Sequence, residues 1–158
     1  MNRFDRGFLL PMDDLRLWVK AGLAESVPWT DETERQFQIA EAAACDVASR
    51  YQDAGFAVAI DHCRNPKTLE QVIGTHLKGR NVVKACLMPS IDENLRRNST
   101  RTNKPFGPEM LVETIRFTNA AYREAVPDGW IVIDNTSLTI DQTLSQLVKQ
   151  PGIAPENL

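Results

Sequence analysis

The sequence has few of the residues that build zinc sites and disulfide frameworks, with 3 cysteines and 2 histidines. Cys45, Cys63 and Cys86 are odd in number, scattered and without a CxxC pair, which argues against a disulfide scaffold and a zinc ribbon. A zinc ion at Cys63 would need further ligands from elsewhere, with only His62 and His76 to supply imidazoles. We therefore expect no zinc site, and we expect Cys45 and Cys86 to be small core residues.

Long apolar runs and an excess of positive charge are also lacking. No stretch approaches the ~20 apolar residues that span a bilayer. The first residues, Met1-Asn2-Arg3-Phe4-Asp5-Arg6, lack the apolar core of a signal peptide. The net charge is −3, which gives no general attraction to nucleic acids or membrane surfaces. We predict a cytoplasmic protein with no membrane partner and no nucleic-acid partner.

The composition is that of an ordinary globular domain. The chain has 158 residues, of which 42% are apolar and 25% are charged. A chain of this length can bury a substantial single core. We predict one domain over residues 1–150 and a loose tail over residues 151–158.

The stretch Gly55-Phe56-Ala57-Val58-Ala59-Ile60-Asp61-His62 is the most informative in the chain. A glycine that can end a helix is followed by a short, continuous apolar run. Such a run predicts a strand buried on both faces, which is typical of parallel sheets. Asp61 is then expected at the carboxyl end of the strand, where open α/β sheets bind ligands.

Three further apolar runs also end in polar residues: residues 7–12 before Asp13-Asp14, 82–88 before Pro89-Ser90, and 130–133 before Asp134-Asn135. The pattern predicts acids and small hydroxyl side chains along one edge of a sheet. The alternative for each of them is that it only caps a helix or forms a turn.

Helical periodicity follows or precedes each strand. Predicted helices begin at an acidic cap at Asp13-Asp14, at an acidic cap of Asp31 with Glu34, at Asn65-Pro66, at Ser90 with Glu93, near Leu111, and at Thr139 with Gln142. The order βα-α-βα-βα-α-βα predicts an α/β fold with three layers, in which helices flank a mainly parallel sheet.

A basic segment follows the helix that begins at Ser90. It contains Arg96, Arg97, Arg101 and Lys104 among small polar residues. Arginine binds phosphate oxygens in a bidentate manner, so this cluster favours an anionic ligand. Arg97 and Arg101 are four residues apart and would share one face of a helix. The alternative is a solvated basic surface helix.

The aspartates at the strand ends have two candidate roles. Asp61 would hold Mg²⁺ beside a phosphate site. Asp13 or Asp14 would orient or deprotonate a substrate hydroxyl as the catalytic base. Helix capping is the alternative for both.

Three strings resemble small bacterial P-loop kinase-like proteins, of the chloramphenicol phosphotransferase and gluconate kinase type. They are VPWTDETERQF at 27–37, FAVAIDH at 56–62 and NLRRNSTRTNK at 94–104. The resemblance covers nearly the whole chain, from about Gly7 to Val148. It implies a P-loop fold, ATP and Mg²⁺ as cofactors, and phosphoryl transfer to a small molecule. By motif position it implies Asp61 for Mg²⁺, Asp13 or Asp14 for the acceptor, and Arg97 and Arg101, with Arg96, for a lid over the phosphates.

The family's first strand, its GxxxxGK[ST] loop and the helix after that loop have no counterpart here. The only Lys-Thr pair, Lys67-Thr68, follows Pro66 and has no glycine before it. Without the backbone N–H groups and the lysine of that loop, the ATP site is incomplete. The resemblance thus implies the fold and the ancestral activity, and we expect this form to be inactive.

The missing strand would lie in the middle of the family's 2-3-1-4-5 sheet. Its neighbours then pair directly, or another chain fills the gap by self-association, or the recorded sequence begins downstream of that strand. We favour the last of these. The leading functional hypothesis is ATP-dependent phosphoryl transfer to a small-molecule hydroxyl in a longer form. The alternative is a degenerate, noncatalytic protein that binds an anionic metabolite or a protein partner.

Overall fold

The computed structural model describes residues 4–102 and 107–153. In these residues the order is β1 (Gly7–Pro11), α1 (Met12–Leu17), α2 (Asp31–Asp53), β2 (Ala57–Asp61), α3 (Pro66–His76), β3 (Ala85–Leu87), α4 (Ile91–Thr100), a 3₁₀ turn (Pro108–Leu111), α5 (Val112–Ala125), β4 (Ile131–Ile133) and α6 (Ile140–Leu147). Lys104 of the basic segment and residues 154–158 of the predicted tail lie outside the described residues.

The chain divides into two compact units. Of the described residues, the first contains 4–64 and 69–82, and the second contains 65–68, 83–102 and 107–153. The single domain over residues 1–150 stays a prediction.

The first unit is built on the parallel pair β1-β2. Its register runs from Gly7 opposite Ala57 to Pro11 opposite Asp61. The sheet packs on α2, where Ala40, Ala44 and Ala48 are buried with Leu10 and Met12 of the neighbouring segment. The small alanine side chains let the helix approach the strands closely.

The strand β2 is less buried than its sequence predicts. Residues 57–60 are all half-buried, and Asp61 is exposed. An apolar run is buried on both faces only when other elements cover both faces of its sheet, and β1-β2 has two strands. The prediction of a fully buried strand is therefore wrong.

Helix α2 begins one residue earlier than the acidic cap predicts. Thr30 is the N-cap: its hydroxyl accepts from the Thr33 backbone N–H, and Thr33 in turn accepts from the Thr30 backbone N–H. Asp31 and Glu34 lie inside the helix, in its first turn, where their charge interacts favourably with the helix dipole. At the other end, Gly55 has a φ of +81°, which confirms its predicted role in ending this helix.

The N-cap at Thr30 predicts the relative stabilities of three variants. Thr30→Ala should lower the free energy of unfolding by about 1 kcal/mol, because the cap hydroxyl is lost. Thr30→Ser keeps the hydroxyl and should retain most of the stability. Urea unfolding of Thr30→Ala, Thr30→Ser and Asp31→Ala measures their free energies of unfolding. A greater loss for Asp31→Ala than for Thr30→Ala would show that Asp31, and not Thr30, caps the helix.

Helix α1 likewise has no acidic cap. Its N-cap is Pro11, which makes no side-chain capping bond, and Asp13 and Asp14 lie in the first turn. The prediction that an acid caps this helix is wrong, because the strand runs directly into the helix without a connecting loop.

The second unit is built on the parallel pair β3-β4, with Ala85 opposite Ile131 and Leu87 opposite Ile133. The sequence predicts a strand over residues 82–88, but the observed strand β3 covers only Ala85–Leu87, because β4 has only three residues to pair with it. The predicted caps of α4 and α6 are confirmed. Ser90 accepts from the Glu93 backbone N–H, and Thr139 and Gln142 form a reciprocal capping box.

The fold is therefore mixed α/β with six helices and two parallel two-stranded sheets in the described part of the chain. The parallel pairing of the strands is confirmed, while the three-layer arrangement around one sheet stays a prediction. Within residues 4–102 and 107–153, no helix is both long and apolar enough to cross a membrane.

Candidate functional site

Three predicted site residues lie at one edge of the first unit. Pro11 and Asp61 are the last pair in the β1-β2 register. Asp13 and Asp14 follow Pro11 in the first turn of α1, and all three aspartates are exposed. The strand pairing thus confirms that these acids share the carboxyl edge of a parallel sheet. We call Asp13, Asp14 and Asp61 the acidic edge; a carboxylate can accept a hydrogen bond from a hydroxyl.

A buried ionic cluster, formed by Glu41, His62 and Arg64, lies directly behind Asp61. His62 Nε2 donates to Glu41 Oε1 at 2.8 Å, and Arg64 Nε lies 3.3 Å from the same oxygen. All three side chains are buried: His62 is 6% exposed, Glu41 2% and Arg64 9%. Glu41 therefore ties helix α2 to the segment that follows β2.

The second carboxylate oxygen of Glu41 has no protein donor. Oε2 is fully buried and makes no hydrogen bond. A buried acceptor without a donor costs about 1–3 kcal/mol, and more when it carries charge. This oxygen is the most conspicuous unsatisfied group in the cluster.

Arg64 continues the network toward the protein surface. Its Nη2 and Nη1 donate to the two carboxylate oxygens of Glu34, at 2.9 and 3.2 Å. Hydrogen bonds from Arg64 above all, with weaker ones from Gln38 and Trp29, lower the pKa of Glu34. All three guanidinium nitrogens of Arg64 thus face carboxylates of α2, so its charge is neutralised within the protein.

A stack of three rings crosses the same region. The Trp29 and Phe37 centroids are 4.9 Å apart and nearly parallel, and Phe37 lies 6.0 Å from the His62 ring. The guanidinium carbon of Arg16 lies 3.8 Å from the Phe37 centroid, and that of Arg64 lies 5.1 Å from the Trp29 centroid. Cations over aromatic faces are attracted by the ring quadrupole. We call Trp29, Phe37 and His62 the aromatic stack.

Arg16 fixes the loop between α1 and α2 around this stack. Its Nη1 donates to Ser26 Oγ and its Nη2 to the Ala24 carbonyl, both at 2.9 Å. The side chain is buried, and that burial lowers the pKa of Arg16 against the opposing effects of Asp13 and Glu25. Both arginines of this region therefore have internal partners.

The second unit also gathers polar residues where its strands end. The Ser90 backbone N–H, after β3, donates to Thr136 Oγ1, after β4, at 2.8 Å. The Asp134 carboxylate accepts from the Thr136 backbone N–H, and hydrogen bonds from Thr136 lower the pKa of Asp134. These contacts satisfy one another, so Asp134 and Ser90 here act as turn and cap residues.

The predicted lid arginines of α4 converge on one glutamate. Arg96 donates to both oxygens of Glu93 at 2.7 Å, and Arg97 Nε donates to Glu93 Oε1 at 2.7 Å. These hydrogen bonds, first from Arg96 and then from Arg97, lower the pKa of Glu93 to about 2. Arg97 Nη2 also donates to the Asn135 carbonyl at 2.7 Å. A phosphate at these arginines would have to share them with Glu93.

Arg101 differs from its predicted position. Helix α4 ends at Thr100, and Arg101 has the extended backbone of a C-cap residue, with φ −74° and ψ 146°. The shared helical face predicted for Arg97 and Arg101 is therefore not formed. The acidic edge belongs to the first unit and the three arginines to the second; their union in one site stays a prediction.

Sequence reasoning missed Glu41, Arg64, Arg16 and the stacking of Trp29 on Phe37. Glu41 carried a readable signal, because it stands among the apolar positions of α2 that face the core, between Phe37 and Cys45. A carboxylate on such a face requires a buried partner. The partners themselves are distant in sequence and have no recognisable spacing.

The implied cofactors fit the described residues unequally. Mg²⁺ is commonly held by one or two carboxylates together with substrate phosphates, so Asp61 fits Mg²⁺ only beside a phosphate ligand. In the part of the chain that the structure describes, no three His, Cys, Asp or Glu side chains form a group that could hold a metal ion. ATP does not fit the residues present, since the 158 residues contain no GxxxxGK[ST] loop. No phosphoryl-transfer step follows from them.

Comparison with known proteins does not assign a family. The sequence matches no protein-family model, and it matches no curated protein.

Proposed function

We propose that this chain is a P-loop kinase-like protein whose ancestral activity is ATP-dependent phosphoryl transfer to a hydroxyl of a small molecule. The observation that carries the proposal is the pairing of its strands. β1 pairs with β2 and β3 pairs with β4, both in parallel. In the proposed fold they would correspond to the two outer pairs of a 2-3-1-4-5 sheet that lacks its first strand. The same proposal includes the three-layer fold and a cytoplasmic location, where ATP and small metabolites are present.

The side chains at the strand ends support the same function. The acidic edge offers carboxylates for an acceptor hydroxyl at Asp13 or Asp14 and for Mg²⁺ at Asp61. Helix α4 and its C-cap offer the cationic side chains Arg96, Arg97 and Arg101, which suit phosphate oxygens. In the absence of the phosphate loop, binding is the function expected of these 158 residues, and transfer belongs to a form that has the loop.

The alternative is a noncatalytic protein that binds an anionic metabolite or a protein partner. The contacts of Glu93 favour it, because this carboxylate occupies Arg96 and Arg97 in the way a bound anion would. Two-stranded sheets also leave backbone groups free along their outer edges, which would allow self-association through the incomplete sheet. Dependence of anion binding on Mg²⁺ separates the two hypotheses.

Titration of the purified chain with inorganic tripolyphosphate, with and without Mg²⁺, tests the proposal. We expect Arg101→Ala to weaken binding by about tenfold or more, since a hydrogen bond to a charged group contributes about 1.5–3 kcal/mol. Asp61→Asn should abolish the strengthening by Mg²⁺ and leave Mg²⁺-free binding intact. Isothermal titration calorimetry measures both effects.

Arg116→Ala is the matched control. Arg116 is an exposed arginine on α5, and its Nε lies 3.9 Å from Glu113 Oε1. It is not among the predicted lid arginines, so its removal should leave affinity unchanged. Equal affinity of Arg101→Ala and the unaltered chain would contradict the lid assignment. Binding that does not depend on Mg²⁺ would favour the noncatalytic alternative. No binding of tripolyphosphate at all would contradict the kinase-like proposal and the anionic-metabolite alternative, and would leave only the protein partner.

A further inference from the structure

The segment from the last residue of α1 to the residue before the N-cap of α2, residues 17–29, presents apolar side chains to solvent. Five of the fourteen large apolar side chains that are exposed in the described part of the chain lie in this segment. They are between 40% and 68% exposed: Leu17, Trp18, Val19, Val27 and Trp29. We call these five residues the apolar loop face. Single exposed apolar residues are ordinary on a protein surface, whereas their concentration in one segment indicates an interaction surface.

Interior side chains hold this segment by its backbone. Arg16, which is 8% exposed, donates to the Ala24 carbonyl at 2.9 Å. Gln36 Oε1 accepts from the Ala24 backbone N–H at 2.9 Å. Thr33, which is fully buried, donates to the Glu25 carbonyl at 2.7 Å. The segment is thus fixed through its polar backbone groups while its apolar side chains face outward, and a surface that is already ordered loses less entropy on binding.

The two halves of the apolar loop face lie on one surface. Arg16 directly precedes the first half, at residues 17–19, and Ser26 directly precedes the second half, at residues 27–29. Arg16 Nη1 donates to Ser26 Oγ at 2.9 Å. The guanidinium carbon of Arg16 and the tryptophan of the second half also pack on the same ring, that of Phe37, at 3.8 and 4.9 Å from its centroid. These contacts bring the two halves together although nearly ten residues separate them in sequence.

The charges beside the apolar loop face are mainly negative. Residues 17–32 contain three acids: Glu25 within the loop, and Asp31 and Glu32 in the first turn of α2. Glu32 forms a bidentate pair with Arg35. The charge that this surface offers to a partner therefore depends on Glu25 and Asp31, which are both exposed.

The cation of this segment does not offset these acids at the apolar loop face. Lys20 is the one cation in residues 17–32, and its ammonium donates to the Leu17 carbonyl at 3.1 Å, at the end of α1. An apolar surface with acidic neighbours is complementary to an apolar group that is flanked by cations. The same charge disfavours the anionic surface of a membrane.

We propose that the apolar loop face is a docking surface for a protein segment in which an aromatic or aliphatic side chain is flanked by lysine or arginine. The apolar side chain packs beside Trp18, and the cationic groups face Glu25 and Asp31. Tryptophan is enriched among the residues that dominate binding at protein interfaces. The inference goes beyond the proposed function, because this surface includes neither the acidic edge nor the arginines of α4.

Three acetylated and amidated hexapeptides test the partner chemistry: KKFLKK, EEFLEE and KKGGKK. Two-dimensional NMR titration of the isotope-labelled full chain measures their affinities and locates the amides that shift. We expect KKFLKK to shift amides of residues 17–32 and to bind about fivefold more tightly than EEFLEE, as for one charge pair at contact distance in water. KKGGKK should bind about tenfold more weakly than KKFLKK, because it has no apolar side chain to bury. Equal affinity for KKFLKK and EEFLEE, no binding of KKFLKK, or shifts confined to other residues would overturn the proposal.

Variants of the apolar loop face complete the test. Trp18 is 68% exposed, so Trp18→Ala should leave the chain folded and weaken binding of KKFLKK about tenfold. Phe117→Ala is the matched control, since Phe117 is an aromatic residue of the second unit that is 75% exposed, and its removal should leave affinity unchanged. The double variant Glu25→Gln with Asp31→Asn should remove the preference for KKFLKK over EEFLEE. Unchanged affinity in Trp18→Ala would refute the docking surface.

Two further measurements distinguish other occupants of the same surface. Sedimentation with vesicles of phosphatidylcholine and phosphatidylglycerol should show no binding, and Trp18-dependent binding would assign the surface to a membrane and overturn the protein partner. Sedimentation equilibrium of the chain alone should show no association that Trp18→Ala abolishes, and such association would assign the surface to a second copy. Tripolyphosphate reports on the arginines of the second unit, so the proposed function and this inference fail separately.

Discussion

Glu41→Ala should lower the free energy of unfolding by about 3–5 kcal/mol, the range for breaking a buried ion pair by removing one partner. Glu41 is 2% exposed and binds His62 and Arg64 through one oxygen. Its removal leaves His62 and the Nε of Arg64 buried without their acceptor. The Glu34 carboxylate still pairs with the Nη atoms of Arg64, so we expect the lower end of the range. Equilibrium unfolding in urea measures the loss.

The control is a glutamate of the same helix in an exposed pair. Glu32 and Arg35 form a bidentate pair on α2 with side chains 47% and 64% exposed. Exposed pairs of this kind contribute about 0–1 kcal/mol, so Glu32→Ala should change stability little. A similar small loss for Glu41→Ala would show that the cluster does not tie α2 to the end of β2.

Phe37→Ala should destabilise the first unit by about 3–5 kcal/mol, as for other buried aromatic side chains cut to alanine. Phe37 is 7% exposed. It stacks against Trp29 and His62, and the guanidinium of Arg16 packs on its face at 3.8 Å. The cavity would also remove the ring on which Trp29 packs.

Phe117→Ala provides the matched control for Phe37→Ala. Phe117 is 75% exposed on α5, and surface substitutions of this kind change stability by less than about 0.5 kcal/mol. Thermal and urea unfolding of both variants give the comparison. A loss below about 1 kcal/mol in Phe37→Ala would mean that the aromatic stack is a surface feature rather than part of the core.

The contrast between Glu41 and the acidic edge shows which features of the candidate site can be predicted from sequence. Asp13, Asp14 and Asp61 were predictable because strand ends can be read from apolar runs, and parallel strands bring their ends to one edge. The Glu41 cluster joins α2 to the residues after β2, separated by about twenty positions of chain. A charge among apolar helix positions signals that a partner exists, but local pattern does not name that partner.

Local sequence also predicted the elements better than their ends. The acidic caps predicted for α1 and α2 were wrong, because acids in a first turn and acids at a cap have almost the same spacing. The structure has Thr30 as the N-cap of α2 and no side-chain cap on α1. The predicted strand over residues 82–88 was too long because strand length depends on the partner. Only three residues of β4 are available to pair with it.

The sequence by itself determined the alternation of helices and strands, the parallel pairing that this alternation favours, and the chemical character of each strand end. These follow from side-chain periodicity and turn residues, which act over a few positions. Only the tertiary structure decided that the strands form two pairs, that Arg96 and Arg97 bind Glu93, and that Trp29, Phe37 and His62 stack beside a buried glutamate. Such contacts join distant parts of the chain and depend on packing, which no short stretch of sequence specifies.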